Sequence, residues 1–258
     1  MTKDKKRKEF MRDTYYKFWA NTRKKYGIGN YEKDLLKLIN SKNNLNKILE
    51  VGIGDGYPFA KALSEKKYKI YGIDISPQHI EMVKKKIPEI ESFVGDAENL
   101  EFSDSFFDLV YCFRSSWYFP NILKAIDEMI RVSKENGFIF IDIQNQNHPI
   151  HIKIKKNQKY REENYIQEIF MRFSKNILKL LIRPFIYFPI HWSFQEHITI
   201  QKASDPEEIE EHLNSYKNLN YKMYGVFFTG KENSLYELKS KENINEFDRI
   251  LFEIELKT

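Results

Sequence analysis

Three glycines alternate in "ILEVGIGDGY", at positions 52, 54 and 56, immediately behind a short apolar run. Glycine there lets the backbone take positive φ and lets a ligand come close, while a helix starting just beyond offers unpaired N–H groups. In a dinucleotide fingerprint two residues separate the second and third glycines; here one does, and position 57 is Tyr, so no pyrophosphate site is expected. Asp74 closes the second apolar run in "YGIDIS", where a carboxylate can accept hydrogen bonds from both hydroxyls of a ribose. Asp96 closes the third in "FVGDAENLEF", where with the adjacent Ala97 amide it could read an adenine edge. A nucleoside suits this set of groups.

The elements that must hold these residues alternate along the chain. Apolar periodicity predicts strands over 47–51, 69–74, 92–94, 108–113 and 137–143, with helices over 57–66, 77–86 and 122–133. Such alternation implies an α/β fold, a mostly parallel sheet covered on both faces, with ligands beyond the carboxyl ends of the strands where their order reverses. Upstream, "MTKDKKRKEF" is a charge run that reads as a solvated arm, followed by two helices, the first carrying Tyr15, Tyr16, Phe18 and Trp19 and closed by Gly27. Downstream of Ile143 the alternation stops for roughly sixty residues. Asp205 then caps a helix with Pro206 at its first position, and "LNYKMYGVFF" and "RILFEIELK" supply two late strands. The expected organisation is a single domain: arm and lid helices 1–44, a ligand-binding core 45–145, an insertion or substrate cap 146–203, and a closing helix and strands 204–258.

A chain of 258 residues with 41% hydrophobic content can bury a full core, and a formal charge of +5 permits an anionic substrate, a membrane surface or nucleic acid without selecting one. The single cysteine, Cys112, excludes an internal disulfide. No apolar stretch has the length and continuity of a signal peptide or spanning helix, so a cytoplasmic protein is expected.

Taken in order, "ILEVGIGDG", "YGIDIS", "VGDAENLEF" and "FDLVYCFRSSWYFPN" resemble the successive motifs of class I S-adenosylmethionine-dependent methyltransferases, in particular the ubiquinone-methyltransferase-like type 11 group, over about Leu45 to Ile143. The resemblance implies a Rossmann-like fold, with a seven-stranded, mostly parallel sheet and one antiparallel strand, and S-adenosyl-L-methionine as cofactor. It implies that Gly52 and Gly54 admit the methionine part, with Glu50 supporting its amino group, and that Asp74 holds the ribose. Ile75 would pack on adenine, Asp96 would meet its exocyclic amine beside Ala97, and the Phe113 backbone would lie under the ribose and methionine portion. The aromatic cluster near the N-terminus suits either a lid over the methionine end, with Tyr16 and Arg23 as contacts, or simple packing on the sheet.

The methyl acceptor is narrowed by absences. The chain has "CFRSSWY" where base-amino methyltransferases carry an Asn/Asp-Pro-Pro-aromatic turn, Cys112 reads as a small core residue rather than a nucleophile, and no paired-glutamate loop is visible. Only Asp142, with Gln144 and Asn145 after it, approaches a cluster of metal ligands, and no metal is expected. What remains is transfer to oxygen or nitrogen of a small, anionic metabolite, such as a surface-polysaccharide precursor or a quinone-like compound. RNA methylation, with the basic arm as its support, and a non-catalytic cofactor-binding protein are the alternatives. In "FQEHITIQKASDPEEIEEHL" His197 stands where related O-methyltransferases place a histidine near the acceptor, which makes it the candidate base; packed on a strand it would be inert. Arg114 could pair with an anionic group, and Trp117 or Tyr118 could wall the pocket. The stretch 165–195 interleaves apolar and basic residues and suits either peripheral membrane contact or a lid or homodimer contact, with Pro184 and Pro189 breaking any long helix.

Overall fold

The computed structural model describes residues 3–15, 28–66, 68–163, 202–227, 235–239 and 243–257. Its strands are β1 Lys47–Val51, β2 Lys69–Asp74, β3 Glu91–Val94, β4 Phe107–Cys112, β5 Ser133–Gln144, β6 Leu219–Val226, β7 Leu235–Glu237 and β8 Arg249–Leu256. They form one sheet in the order β3-β2-β1-β4-β5-β8-β6-β7. The first five are parallel. β8 runs antiparallel between β5 and β6, and β7 runs antiparallel on the outer edge of β6. Among the described residues the expected seven strands with one antiparallel member are thus eight with two. At three residues, β7 is too short to leave a periodicity that sequence reading could detect.

The helices are α1 Lys3–Phe10, α2 Asn30–Asn40, α3 Phe59–Ser64, α4 Pro77–Lys86, α5 Ile122–Val132, α6 Pro149–Glu163 and α7 Pro206–Asn214. Alternate residues of the central strands feed two separate cores. Ile48, Leu109 and Tyr111 face α2, α3 and α4 through Leu35, Leu63 and Val83. Leu49, Val51, Val110 and Cys112 face α5 and α7 through Ile126, Met129 and Leu213. This explains why β1 and β4 are apolar in nearly every position, as strands covered on both faces must be. The Asp205 side chain accepts the Glu207 amide and Pro206 opens α7, as the sequence indicated. Among the described residues no helix is long and apolar enough to cross a membrane.

The N-terminal charge run is not a solvated arm. It forms α1 and a π-helical turn over Met11–Tyr15, with Arg7 only 8% exposed and donating from Nη2 to the Trp117 carbonyl at 2.9 Å. Its partners lie some hundred residues away, where a composition argument cannot see them.

One cation pins the loop that carries the third acidic residue. Arg131 of α5 donates to the carbonyls of Leu100 (2.8 Å) and Phe102 (2.9 Å) and pairs with Glu128 and Asp104. Arg131→Met removes the partners of two loop carbonyls and is expected to lower the unfolding free energy by about 1–3 kcal/mol in a urea titration. An unchanged midpoint would mean that the loop holds itself.

Candidate functional site

Strand order reverses at β1, which has β2 on one side and β4 on the other, so the switch-point crevice opens beyond the carboxyl ends of these strands. The glycine turn lies there. The amides of Gly52 and Ile53 both donate to the Ile73 carbonyl (2.8 and 2.9 Å), which ties the turn to β2. Gly52 has φ +78°, and a Cβ on it would fall 2.5 Å from the Ser115 Cβ, so neither the backbone nor the space admits another residue. Ser115 closes the opposite wall by donating from Oγ to the Gly52 carbonyl at 3.0 Å.

Asp74 at the end of β2 is organised by the backbone around it. Its Oδ2 accepts the Gly54 amide at 2.9 Å, and its Oδ1 accepts the Ser76 amide at 2.9 Å and meets His79 Nδ1 at 3.2 Å. The carboxylate is thereby fixed at the mouth of the turn. Beyond β3, Asp96 accepts the Glu98 amide on Oδ1 (3.0 Å) and turns Oδ2 toward Lys8 of α1.

These groups border a cleft of about 510 Å³, part of it open to solvent. Of the residues singled out from sequence, Gly52, Asp74, Ile75, Asp96, Ala97 and Tyr118 line it. Glu50, Gly54 and Phe113 adjoin it without lining it. The Glu50 carboxylate, on a residue 4% exposed, accepts the Tyr111 hydroxyl at 2.8 Å, and the Phe113 ring packs 4.9 Å from both Phe59 and Tyr111. Sequence reasoning missed Lys8, Met11, Ser115, Phe119 and Pro120. Ser115 and the Phe119–Pro120 pair lay in plain view within "CFRSSWYFP", whereas nothing local to Lys8 or Met11 signals their place.

Arg114 follows β4 in the left-handed region at φ 59°, which a non-glycine residue enters only when its surroundings enforce it. Its amide donates to Asp142 Oδ1 at 2.7 Å, and its guanidinium forms an ion pair with Glu32 and stands 5.6 Å from the Tyr31 ring. Glu32 also reaches back to the Gly29 amide at 3.0 Å, so the capping of α2 orients the carboxylate that Arg114 meets. Tyr31 donates its hydroxyl to Asp142 Oδ2 at 2.7 Å. Asp142 is fully buried, and burial pushes its carboxyl above the ordinary range although Arg249, Tyr31 and the Arg114 amide pull the other way. Burial likewise draws the Arg114 guanidinium down, with Glu32 opposing. Arg114 therefore has an anionic partner within the chain already.

Trp117 is 3% exposed, with the Arg249 guanidinium 4.6 Å over its ring, and Tyr118 rather than Trp117 faces the cleft. Asp142 is occupied by its donors, and Asn145 donates to the carbonyls of Ile244 and Phe247. Among the described residues no group of three or more His, Cys, Asp or Glu side chains could hold a metal ion. Tyr16, Arg23 and His197, and the stretch 165–195, lie outside the described residues.

Residues 49–141 match the family described as Methyltransferase domain. The Bacillus subtilis protein YcgJ, an uncharacterised methyltransferase, is 26% identical over 145 residues, or 52% of this chain and 57% of that protein. A demethylmenaquinone methyltransferase of Chlorobaculum parvum is 33% identical over 95 residues, 37% of this chain and 39% of its own length. The chain thus spans little more than half of the one relative and well under half of the other. A crystal structure of a methyltransferase from Thermotoga maritima, described as a possible histamine N-methyltransferase, superposes with a TM-score of 0.60 at 15% identity, covering 97% of this chain and 98% of that one. At that identity the likeness establishes the fold.

Proposed function

We propose that this chain, whose residues 49–141 are a methyltransferase domain of the class I S-adenosylmethionine-dependent kind, transfers a methyl group to oxygen or nitrogen of a small anionic metabolite. The observation that carries the reading is the convergence of Gly52, Asp74, Ile75, Asp96, Ala97 and Tyr118 on one cleft at the strand-order reversal. The residues fit an adenosyl cofactor. Gly52 leaves no room for a side chain of its own, Asp74 presents a carboxylate fixed by two backbone amides, Ile75 offers an apolar surface, and Asp96 is an acceptor at the far end.

When bound, S-adenosyl-L-methionine supplies a methyl group already activated by its sulfonium. The chain's own task is then to bind and align. Asp74 would hold the ribose hydroxyls, Asp96 and the Ala97 amide the adenine edge, and Tyr118 would wall the side on which the acceptor enters. Proximity and orientation alone can remove about 7–11 kcal/mol from a bimolecular barrier, so no strong base is required. His197 is the proposed proton acceptor. An anionic group on the acceptor would share Arg114 with Glu32, drawing a guanidinium that is 22% exposed. The name of the demethylmenaquinone relative favours a quinone-like acceptor; a surface-polysaccharide precursor is the candidate that carries the negative charge.

The test uses methyl-labelled cofactor, the purified chain and fractionated cell extract. Label is expected in a small anionic fraction and to survive ribonuclease. Label that vanishes with ribonuclease would replace the metabolite by RNA, and cofactor binding without any turnover would leave a non-catalytic binding protein.

A further inference from the structure

Lys8 of α1 reaches into the cleft and places its ammonium 2.6 Å from Asp96 Oδ2 and 2.8 Å from Glu98 Oε2. The remaining oxygens are engaged elsewhere: Asp96 Oδ1 by the Glu98 amide at 3.0 Å, Glu98 Oε1 by the Asn121 amide at 2.7 Å. Burial would pull the lysine down, but its hydrogen bonds to both carboxylates and their charge outweigh that and raise it, so the ammonium stays charged. The two carboxylates differ in one respect. The Asp96 side chain is 36% exposed and lines the cleft, whereas Glu98 is 10% exposed and does not line it.

We propose that Lys8 is a competitive latch on the nucleoside site: without ligand its ammonium takes the Asp96 oxygen that an adenine amine needs, and on binding it withdraws onto Glu98. The proposal rests on the cofactor reading given above. An adenine amine is a neutral donor, and the hydrogen bond it makes to the Asp96 carboxylate lacks the ion-pair attraction of the one it displaces. Entry is feasible because Glu98 keeps the lysine paired, so that the ammonium gives up one carboxylate rather than both. Glu98 therefore sets cofactor affinity without touching the cofactor, and α1 couples the N-terminal segment to occupancy of the cleft.

Calorimetry on the full chain with S-adenosylhomocysteine, which binds but carries no methyl to transfer, tests this directly. Lys8→Met frees Asp96 and is expected to tighten binding about 1.5-fold to fivefold, the range for a partly exposed ion pair. Lys8→Arg keeps the charge and should bind like wild type. Glu98→Gln preserves the acceptor for the Asn121 amide while removing the retreat, and should weaken binding by a similar factor. In the double variant that weakening should disappear, since no lysine is left to withdraw. Raising the salt concentration should tighten binding by the wild type and leave Lys8→Met unmoved. Equal or weaker binding by Lys8→Met overturns the latch while the cofactor site stands, and a Glu98→Gln effect that persists without Lys8 overturns the retreat. Failure of both wild type and Lys8→Met to bind would remove the nucleoside site and the latch with it.

Discussion

Asp74→Ala is expected to weaken S-adenosylhomocysteine binding by about 100-fold or more. A hydrogen bond to a charged group contributes about 1.5–3 kcal/mol, and two ribose hydroxyls on one carboxylate double that, while each 1.4 kcal/mol is a factor of ten in affinity. The structure adds a second reason. Asp74 also accepts the amides of Gly54 and Ser76, so its removal leaves one donor of the glycine turn and one at the start of α4 without their acceptor and loosens the wall the ligand must meet. Asp74→Asn separates the two contributions, because an amide oxygen can still serve one neighbour but a single amide cannot replace a carboxylate toward both hydroxyls. Its loss should be intermediate, about tenfold. Calorimetry gives both values. Wild-type affinity in a correctly folded Asp74→Ala chain would remove the ribose assignment.

Asp142→Ala should have the largest effect on stability. The substitution leaves the buried Tyr31 hydroxyl and the partly buried Arg114 amide without an acceptor, at about 1–3 kcal/mol each, so a total loss of about 2–6 kcal/mol is expected. That is a large share of the 5–15 kcal/mol, roughly, that holds a domain folded. Urea unfolding followed by tryptophan fluorescence measures it. The left-handed backbone at Arg114 should relax once its amide is released, so turnover should fall further than stability alone accounts for. Asp142→Asn keeps an oxygen for the Arg114 amide and should lose less. The pH dependence has a definite sign. Burial raises the carboxyl in the folded chain, so its contribution to stability is fullest below the ordinary carboxylate range and diminishes as pH rises through the raised value. The Asp142→Ala chain should lack that slope, and a parallel pH profile would mean that Asp142 is not its source.

Local pattern was enough for much of the framework. β1, β2 and α4 begin and end where periodicity and turn chemistry place them, at Lys47–Val51, Lys69–Asp74 and Pro77–Lys86. The helix expected from Tyr57 starts instead at Phe59, because the turn through Gly56 continues past Pro58. Gly52, Asp74 and Asp96 were legible as cleft-lining residues because each closes a strand on the same edge of a parallel sheet, and the topology brings that edge together whatever the side chains do elsewhere. The sequence by itself thus determined the α/β layering, the switch point and the acids beside it.

Only the tertiary structure decided which charges those acids and their neighbours meet. Lys8 finds Asp96 at a separation of 88 residues, Tyr31 finds Asp142 at 111, and Arg114 finds Glu32 through the capping of α2. Hydrophobic periodicity and turn preferences act within a few residues and therefore leave their mark in the local sequence. Ion pairs and buried hydrogen bonds depend on how two separately formed faces come to lie against each other, and no short window of residues contains both partners.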